Sequence, residues 1–378
     1  MIIRKTAGIF AALSILFSAA VPACAESISA GSGSTDHGYS GLAQTSSGEL
    51  KQEFYLRLKS SAEELYSDDR DIENYKGYYV FDSVDYTEFG LSKNEAKEVY
   101  FTMRNDMPLL FFLSPTVAVE GDKLLMLVPK AYAFGQIRAE HRAEICNYLE
   151  SCAEKLKRLP TSYEKAAAFE ELLVSSAEFA YDGNRPSTDA DAHSPIGVIV
   201  NGKGVCESYA RTFQLVMNYI GEECLLVAGI GGKDAHAWNI MRLDDGNYYN
   251  YDCTWDDLKG ESLYMASGSE VFSADHSAYT PEGIGAKFQV GMPLTAVKDF
   301  DYDEYIKQNY SKYDIDLDHK ANVTDIIRIC AHIKGFRLLS GRMAERADIN
   351  GDGVINVNDV TVLASYVKGI RSGDGNRN

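Results

Sequence analysis

Hydrophobic positions in residues 49–298 follow helical spacing in some segments and strand spacing in others. Apolar residues three or four apart predict helices at residues 50–66, 137–156 and 161–179. Ser92 and Glu95 form a capping-box pattern that begins a further helix reaching about residue 103. Valine-, leucine- and aromatic-rich runs predict strands at residues 78–86, 109–113 and 123–128. Both helices and strands are therefore expected here, and residues 49–160 contain no candidate catalytic motif.

Residues 202–255 predict one helix followed by three strands. A helix with one apolar face is expected to begin after Gly204 and end at Gly221. Its apolar positions, at spacings of four, three and four, are Tyr209, Phe213, Val216 and Ile220. The runs at 224–231, 236–243 and 248–255 predict strands, and Asp244-Asp245-Gly246 predicts a hairpin turn between the last two.

Cys206 lies in the first turn of the predicted helix. The amides of a first helical turn lack partners within the helix and the helix dipole is positive there, so a thiolate is favoured. The same amides provide donors for an oxyanion. The glycines of Gly202-Lys203-Gly204 let the backbone approach a substrate closely. Together these features indicate a nucleophilic cysteine.

The length of the hairpin turn decides whether His236 and Asp252 meet. A two-residue turn pairs residue 244 with 247 and sends Asp252 to the face opposite His236. A three-residue loop, with Gly246 in the left-handed conformation, pairs residue 243 with 247 and sets Asp252 opposite Trp238. Asp252 and His236 then become diagonal neighbours on one face, about 7–8 Å apart between backbones. We predict the three-residue loop.

Cys206, His236 and Asp252 then provide a nucleophile, a base and an orienting acid. We expect His236 to take the thiol proton and Asp252 to fix the imidazole tautomer and stabilise its charged form. His193 is a weaker alternative base, because no acid follows it at matching spacing, and His276 has no evident partner.

Three motifs in this region resemble a known family. They are Gly202-Lys-Gly-Val-Cys206-Glu-Ser-Tyr-Ala, His236-Ala-Trp-Asn and Tyr251-Asp252-Cys-Thr-Trp-Asp. In this order and spacing they resemble the transglutaminase-like superfamily over about residues 160–258. The resemblance implies an α+β fold with a papain-like core and an N-terminal extension, the triad Cys206, His236 and Asp252, and no cofactor for catalysis. It leaves the reaction open, because members include cross-linking acyltransferases, peptidases, amide-hydrolysing enzymes and inactive proteins.

Residues 314–325 and 348–359 are two copies of one twelve-residue pattern. Each has oxygen-bearing side chains at positions 1, 3, 5, 9 and 12 and a backbone carbonyl at position 7, the arrangement of a calcium loop, since Ca²⁺ takes several hard oxygen ligands. The candidate ligands are Asp314, Asp316, Asp318, Lys320, Asn322 and Asp325 in the first loop, and Asp348, Asn350, Asp352, Val354, Asn356 and Asp359 in the second. Position 6 of the first loop is His319 instead of glycine, so we expect a strained or weaker first site.

We expect one helix after each loop, at residues 325–334 and 359–368, and none before it. Two loop–helix units with aspartate at position 12 resemble the type I dockerin module, a small all-α fold, over residues 313–371. The resemblance implies two Ca²⁺ ions and a cohesin module of a scaffoldin as partner. Positions 10 and 11 help to choose the cohesin in that family, and here they are Val323, Thr324, Val357 and Asn358. Binding through one or both helix faces stays open.

The N-terminus has the pattern of a signal peptide. Basic Arg4 and Lys5 precede an apolar run at 7–21 and an Ala23-Cys24-Ala25 cleavage pattern. An alternative interpretation makes Cys24 the acylated residue of a lipoprotein. The predicted division is signal peptide 1–25, Ser/Gly-rich linker 26–48, catalytic domain 49–298, linker 299–312, dockerin 313–371 and tail 372–378. We expect export, and the dockerin resemblance implies a cell-surface cellulosome complex.

The chain carries 55 acidic and 37 basic residues, a formal net charge of -18. Such a surface repels phosphate backbones, so nucleic acid is not an expected partner, and no segment after the N-terminus is apolar enough to span a membrane. The combined expectation is a secreted cellulosome-type cysteine enzyme that acts on protein or peptide amides through a thioester. The alternatives are a cross-linking transglutaminase and an inactive binding or structural subunit. No paired-carboxylate site requires a glycoside hydrolase.

Overall fold

The fold is described from a computed structural model that defines residues 34–260, 262–279 and 290–373. The predicted signal peptide with Cys24, residues 26–33 of the predicted linker, residues 280–289 of the predicted catalytic domain and residues 374–378 of the predicted tail lie outside the described residues. Within the described ranges, no helix combines the length and the hydrophobicity that a membrane span requires.

Helices and strands are interspersed up to residue 278, and the C-terminal region is helical, which confirms the expected α+β class with a small all-α module. The helices are α1 (His37–Leu42), α2 (Gly48–Ser67), α3 (Lys93–Asp106), α4 (Gly135–Leu156), α5 (Ser162–Ser176), α6 (Pro195–Ile199), α7 (Cys206–Tyr219), α8 (Cys253–Lys259), α9 (Ser269–Phe272), α10 (Tyr302–Asn309), α11 (Val323–Ile333), α12 (Gly341–Ala347) and α13 (Val357–Gly373). The strands are β1 (Asn74–Tyr75), β2 (Tyr78–Asp85), β3 (Ala118–Glu120), β4 (Lys123–Val128), β5 (Glu178–Phe179), β6 (Tyr181–Asp182), β7 (Arg185–Pro186), β8 (Lys203–Gly204), β9 (Cys224–Gly231), β10 (Asp234–Arg242), β11 (Tyr248–Tyr251) and β12 (His276–Ala278).

The N-terminal extension is a four-stranded antiparallel sheet of order β1-β2-β4-β3, together with helices α2 to α4. The capping box before α3 is confirmed: the Ser92 hydroxyl accepts from the Glu95 amide, and the Glu95 carboxylate accepts from the Ser92 amide. The strand predicted at 109–113 is wrong. These residues are buried, but successive turn hydrogen bonds such as Leu113 N to Leu110 O hold them. A short apolar run cannot distinguish a buried strand from buried turns.

The predicted first linker contains a helix, α1. The amides of Gly38 and Tyr39 donate to the buried Asp106 carboxylate at the end of α3. A Cβ on Gly41 would lie 2.6 Å from the Cα of Gly291, so glycine is required there for close packing. The small residues of this segment therefore allow backbones to pack closely, whereas their composition had suggested a flexible linker.

The central element of the catalytic region is α7, which packs on a second antiparallel sheet of order β11-β10-β9-β12. The ring of Phe213 on α7 stacks on Tyr251 of β11 at 5.3 Å and contacts Phe169 of α5 at 5.8 Å. The sheet and α5 therefore cover α7 from different sides. This packing holds the first turn of α7 in a fixed position relative to β10.

The predicted second linker also contains a helix, α10. Its first residue, Tyr302, is buried and stacks on Tyr163 of α5 with ring centroids 4.8 Å apart. A further correction concerns α12, which directly precedes the second loop although no helix was expected there. Its last residue, Ala347, is fully buried in the core of the C-terminal module, which explains why the segment folds as a helix.

Arg346 on α12 connects the C-terminal module with the catalytic region. Its guanidinium pairs with Glu164 of α5, donates to the Tyr302 hydroxyl at 2.8 Å and donates from Nε to the carbonyl of Ile315 at 3.0 Å. The Arg346 and Glu164 side chains are only 12% and 6% exposed. Removing one partner of a buried pair leaves the other charge buried without compensation.

We therefore predict that Arg346→Met lowers the free energy of unfolding by about 3 kcal/mol. Urea denaturation followed by tryptophan fluorescence measures this in the catalytic region, because both tryptophans, Trp238 and Trp255, lie there. Arg158→Met is the matched control: its pair with Glu154 is well exposed, so its loss should cost less than about 1 kcal/mol. Equal effects of the two substitutions would contradict the prediction.

Candidate active site and calcium loops

Cys206 is the first residue of α7. The preceding residue, Val205, is extended and provides no side-chain cap, so no capping side chain covers the first-turn amides. Cys206 is half-buried and contacts a small apolar cluster that includes Ala210 of α7 and Ala237 of β10. Ala237 directly follows His236, so the nucleophile and the base are brought together by the packing of α7 on β10.

Gly204 serves packing, where substrate approach had been expected. A Cβ on Gly204 would lie 2.5 Å from the Cβ of Ser208 in the first turn of α7. Gly202 has a φ of +62°, a conformation that favours glycine. Both glycines therefore shape the chain that leads into Cys206.

The three-residue hairpin loop is confirmed. The Leu243 amide donates to the Asn247 carbonyl at 2.9 Å, and Gly246 has a φ of +85°. Asn239 pairs with Tyr251, so the next step of the register places Asp252 opposite Trp238. His236 and Asp252 consequently lie on the same face of the sheet.

His236 Nε2 lies 2.7 Å from Asp252 Oδ2, and the two side chains are 7% and 1% exposed. The strand predicted to run to residue 255 ends at Tyr251, because Asp252 is the N-cap of α8. Its Oδ1 accepts from the amides of Thr254 and Trp255, each at 3.2 Å. Asp252 therefore orients the imidazole with one oxygen and starts a helix with the other.

The pKa of His236 is strongly shifted. Burial lowers it, but hydrogen bonds to Asp252 and Cys206 outweigh burial and raise the pKa to about 10. For Asp252, burial favours the neutral acid, but hydrogen bonds from His236 and His276 outweigh it and hold the pKa below its ordinary value. Because Nε2 of His236 faces Asp252, Nδ1 is the nitrogen left for the Cys206 thiol. The charges favour an imidazolium next to a carboxylate.

His276 belongs to this site, although the sequence showed no partner for it. Its Nε2 lies 3.0 Å from Asp252 Oδ2 and its Nδ1 lies 2.7 Å from Asp275 Oδ1. The residue lies on β12, which pairs with β9. The only local signal was the adjacent Asp275, because the pairing of β12 depends on contacts distant in sequence.

His193, the alternative base, does have an acidic partner, contrary to expectation. Its Nδ1 lies 3.1 Å from Oε2 of Glu207, and this hydrogen bond raises the pKa of His193. Glu207 also pairs with Arg104 at 2.6 Å and Arg211 at 3.0 Å. This network joins α3, α7 and the loop before α6. The structure thus gives His193 a partner in a charge cluster, while His236 contacts Cys206.

The two candidate calcium loops have equivalent hydrogen bonds at several positions. The position-12 carboxylates of Asp325 and Asp359 are fully buried and accept from the amides of Asn322 and Asn356, each at 2.8 Å. These bonds start α11 and α13 at residues 323 and 357, two residues before the predicted starts. Position 12 therefore closes the loop and caps the helix that follows it.

The backbone of the first loop is strained, as expected. Leu317 and His319 have φ values of 56° and 67°, and the corresponding residues of the second loop, Gly351 and Gly353, have 74° and 84°. Side chains with a Cβ are disfavoured in this left-handed region. The strain affects positions 4 and 6, whereas the sequence had indicated position 6 alone.

The first loop has the oxygen atoms that a hard cation requires. Ligand atoms of Asp314, Asp316 and Asp325 lie within 4.8 Å of one another. Among the described residues, Asp314 Oδ2 and Asp316 Oδ1 are buried without a hydrogen-bond partner. Burial and neighbouring carboxylates raise the pKa of Asp314 and Asp325. Buried, crowded carboxylate oxygens fit a divalent cation such as Ca²⁺.

The four residues predicted to contact a cohesin are exposed at the first turns of α11 and α13. They are Val323, Thr324, Val357 and Asn358. Val323 and Val357 are 43% and 65% exposed, so each helix presents an apolar side chain to solvent at the same loop position. The two surfaces are therefore similar in place and in chemistry.

The pH dependence of stability tests the charge on His236. Its folded pKa of about 10 lies above the ordinary 6.5, so the protonated residue stabilises the folded state. This contribution is fully present below pH 6.5 and is lost as the pH rises through about 10. The free energy of unfolding should fall more steeply across this window in the wild type than in His236→Gln. Urea titrations at several pH values measure both slopes, and equal slopes would contradict the prediction.

Comparisons with known proteins agree with the motifs. Residues 150–253 match the family described as transglutaminase-like superfamily, and residues 312–368 match the dockerin type I domain. No curated protein sequence matches the chain.

Two solved structures are similar to the chain at low identity. A candidate cysteine protease from Cytophaga hutchinsonii is 14% identical, over 35% of this chain and 41% of that one, with a TM-score of 0.27. A TGase is 12% identical, over 66% of this chain and 71% of that one, with a TM-score of 0.28. The chain thus spans about two fifths of the first of these structures. The two family matches, in this order, show that the chain carries a domain of the transglutaminase-like superfamily followed by a type I dockerin domain.

Proposed function

We propose that the protein is a secreted cysteine enzyme that acts on protein or peptide amide bonds and is docked to a scaffoldin by its dockerin. One observation carries the catalytic part: the 2.7 Å contact of His236 with a buried, ionised Asp252, beside a cysteine at a helix N-terminus. The arrangement has a nucleophile, a base and an orienting acid, each on a separate element.

The reaction follows from the roles of these atoms. His236 Nδ1 takes the thiol proton, and the Cys206 thiolate attacks the amide carbonyl carbon. The first-turn amides of α7 have no capping side chain and are suited to stabilise the oxyanion. As the tetrahedral intermediate collapses, the imidazolium gives its proton to the leaving amine and a thioester remains. Water attacks the thioester carbonyl with His236 as base, which releases the acid and restores the thiol.

Asp252 stabilises the charge of the His236 imidazolium and fixes the orientation of its ring. Its carboxylate is fixed by the backbone of α8, so it does not follow the imidazole when that ring changes charge. A buried, fixed carboxylate stabilises the imidazolium more than a mobile solvated one does. The triad therefore needs no cofactor to generate its nucleophile.

The dockerin determines the context of this activity. Type I dockerin domains generally bind calcium and indicate an extracellular, cellulosome-type context with a cohesin as partner. We propose two Ca²⁺ ions, one in each twelve-residue loop. Asp314, Asp316, Asp318, Asn322, Asp325 and the Lys320 carbonyl would hold the first, and Asp348, Asn350, Asp352, Asn356, Asp359 and the Val354 carbonyl the second. Bound Ca²⁺ neutralises carboxylates that otherwise repel one another, so binding is coupled to folding.

Cys206→Ala tests the catalytic proposal. We expect the wild type to cleave or deamidate glutamine-containing peptides, and the variant to lose this activity, since the nucleophile is absent. Mass spectrometry of a peptide mixture, with and without a labelled amine, measures both reactions. Cys330→Ala is the matched control, because Cys330 is a half-buried cysteine of the dockerin and should leave the activity unchanged.

The same experiment separates the alternatives. Incorporation of the labelled amine would favour a cross-linking transglutaminase, because the thioester would then be resolved by an amine instead of water. If neither product forms and iodoacetamide alkylates Cys206 no faster than Cys330, the enzymatic proposal fails and the domain is a docked binding subunit.

His319→Gly tests calcium binding in the strained first loop. Removing a Cβ from the left-handed conformation should relieve about 1 kcal/mol, which corresponds to about fivefold tighter binding at that site. The substitution also removes the stacking of His319 on Tyr310, whose centroids are 4.5 Å apart. Gly353→His therefore serves as the reciprocal variant, and it should weaken the second site by a similar factor. Calorimetric calcium titrations measure both, and unchanged affinities in both variants would contradict the proposal.

A further inference from the structure

His276 is the residue of the site that a three-residue triad does not use. Its side chain is fully buried, and both ring nitrogens face carboxylates, Nε2 at 3.0 Å from Asp252 and Nδ1 at 2.7 Å from Asp275. An ionised carboxylate only accepts hydrogen bonds, so two such partners require a proton on each nitrogen. The geometry therefore points to a hydrogen-bond donor on each ring nitrogen of His276, between two acids.

The sheet is built to bring the two histidines together. β9 lies between β10 and β12, with Gly229 opposite His236 and Gly231 opposite His276. These two glycines point to the same face, and a Cβ on Gly231 would lie 2.9 Å from the His236 ring. Because neither glycine carries a side chain, rings from two non-adjacent strands approach to 5.6 Å between centroids.

Aromatic rings lock His276 in place. Phe272 stacks on its ring at 3.9 Å, and Trp255 lies 4.3 Å away between centroids. Such faces stabilise a cation and leave the ring little room to rotate. The orientation that points Nε2 at Asp252 is therefore fixed by packing as well as by hydrogen bonding.

The Asp252 carboxylate is shared between two imidazoles. Its Oδ2 lies 2.7 Å from His236 Nε2 and 3.0 Å from His276 Nε2. We propose that His276 is a positioning residue that holds Asp252 through the oxygen atom that also contacts His236, and that it limits how strongly Asp252 retains the proton on His236. This inference rests on the proposed function, since it concerns the same Cys206–His236 pair.

A weaker hold on that proton suits the chemistry. A base that must accept a proton from the thiol and return it to the leaving amine works best when its proton affinity is not extreme. Beside the fully charged Asp252 alone, the imidazolium would release its proton reluctantly. A second cation at the same carboxylate weakens the attraction between Asp252 and the His236 imidazolium.

Other charged groups face this network. Besides Asp252 and His236, the titratable groups facing His276 are Asp275 and Tyr264, whose hydroxyl donates to Asp275 Oδ2 at 2.8 Å. Lys259 contacts Tyr264 from the outer side. The Asp275 side chain is 35% exposed, so the network reaches solvent at this end.

Histidine NMR on the full chain tests the proposal. In ¹⁵N-histidine-labelled protein at neutral pH, we expect both ring nitrogens of His276 to be protonated. The titration of His236 is followed in a Cys206→Ser background, which removes the contribution of the thiolate. His276→Gln keeps a donor for Asp252 but removes the charge, so it should raise the His236 titration midpoint by about 1 pH unit.

Asp275→Asn provides a second variant at a partly exposed position, in case His276→Gln does not fold. Loss of a carboxylate alone would lower the His236 midpoint, because a favourable charge disappears. Our proposal predicts that the His236 midpoint rises instead. Without Asp275, no acceptor holds the proton on Nδ1 of His276, so the positive charge nearest to Asp252 and His236 is lost. Glu270→Gln on α9 is the control for removal of one negative charge, and it should not raise the midpoint.

The two levels of the hypothesis fail separately. A neutral His276 ring, or a His236 midpoint that does not rise in His276→Gln or Asp275→Asn, would overturn the role of His276. Alkylation of Cys206 in the wild type tests the proposed function independently. If Cys206 is hyper-reactive while the midpoint stays constant, only the inference about His276 is lost.

Discussion

The burial of one carboxylate, Asp252, constrains the whole catalytic region. An ionised acid that is 1% exposed must find a donor for nearly every lone pair, because the unpaired charge would cost several kcal/mol. Here the donors are two backbone amides of α8 and two imidazoles from β10 and β12. Four donors from three elements fix where those elements meet. The hairpin loop, the start of α8 and the glycines of β9 all contribute to satisfying this one group.

The part of the site that the sequence predicted is the part encoded locally. His236 and Asp252 belong to one hairpin, so the loop chemistry around Gly246 was enough to choose the register and the face. His276 could not be found in this way. It lies on a three-residue strand that pairs with β9, 45 positions earlier at its first contact, Gly231, and no local pattern encodes that pairing. Its contact with Asp252 also depends on Gly229 and Gly231 of β9, which have no side chains. That these glycines lie opposite the two histidines is known only from the pairing of the strands.

Local encoding also explains which predictions about the rest of the chain succeeded. The calcium loops were recognisable because each takes its ligands from twelve consecutive residues. The helix in the first predicted linker was not foreseen, because small and polar residues have two physical uses. They make a free chain flexible, but they also let backbones touch, as Gly41 and Gly291 do. Composition cannot separate these uses, since the partner backbone lies 250 residues away.

The buried contacts of Arg346 connect the dockerin with the catalytic region. Arg346 lies two residues before the first ligand of the second loop, and it binds the carbonyl of Ile315, the second residue of the first loop. The same guanidinium reaches Glu164 at the start of α5, and α5 packs on α7 through Phe169 and Phe213. One continuous series of packed groups therefore runs from both calcium loops to the helix that begins with Cys206. A tether made only of flexible chain would leave the cleft free to reorient, whereas these buried contacts hold it in one position relative to the dockerin.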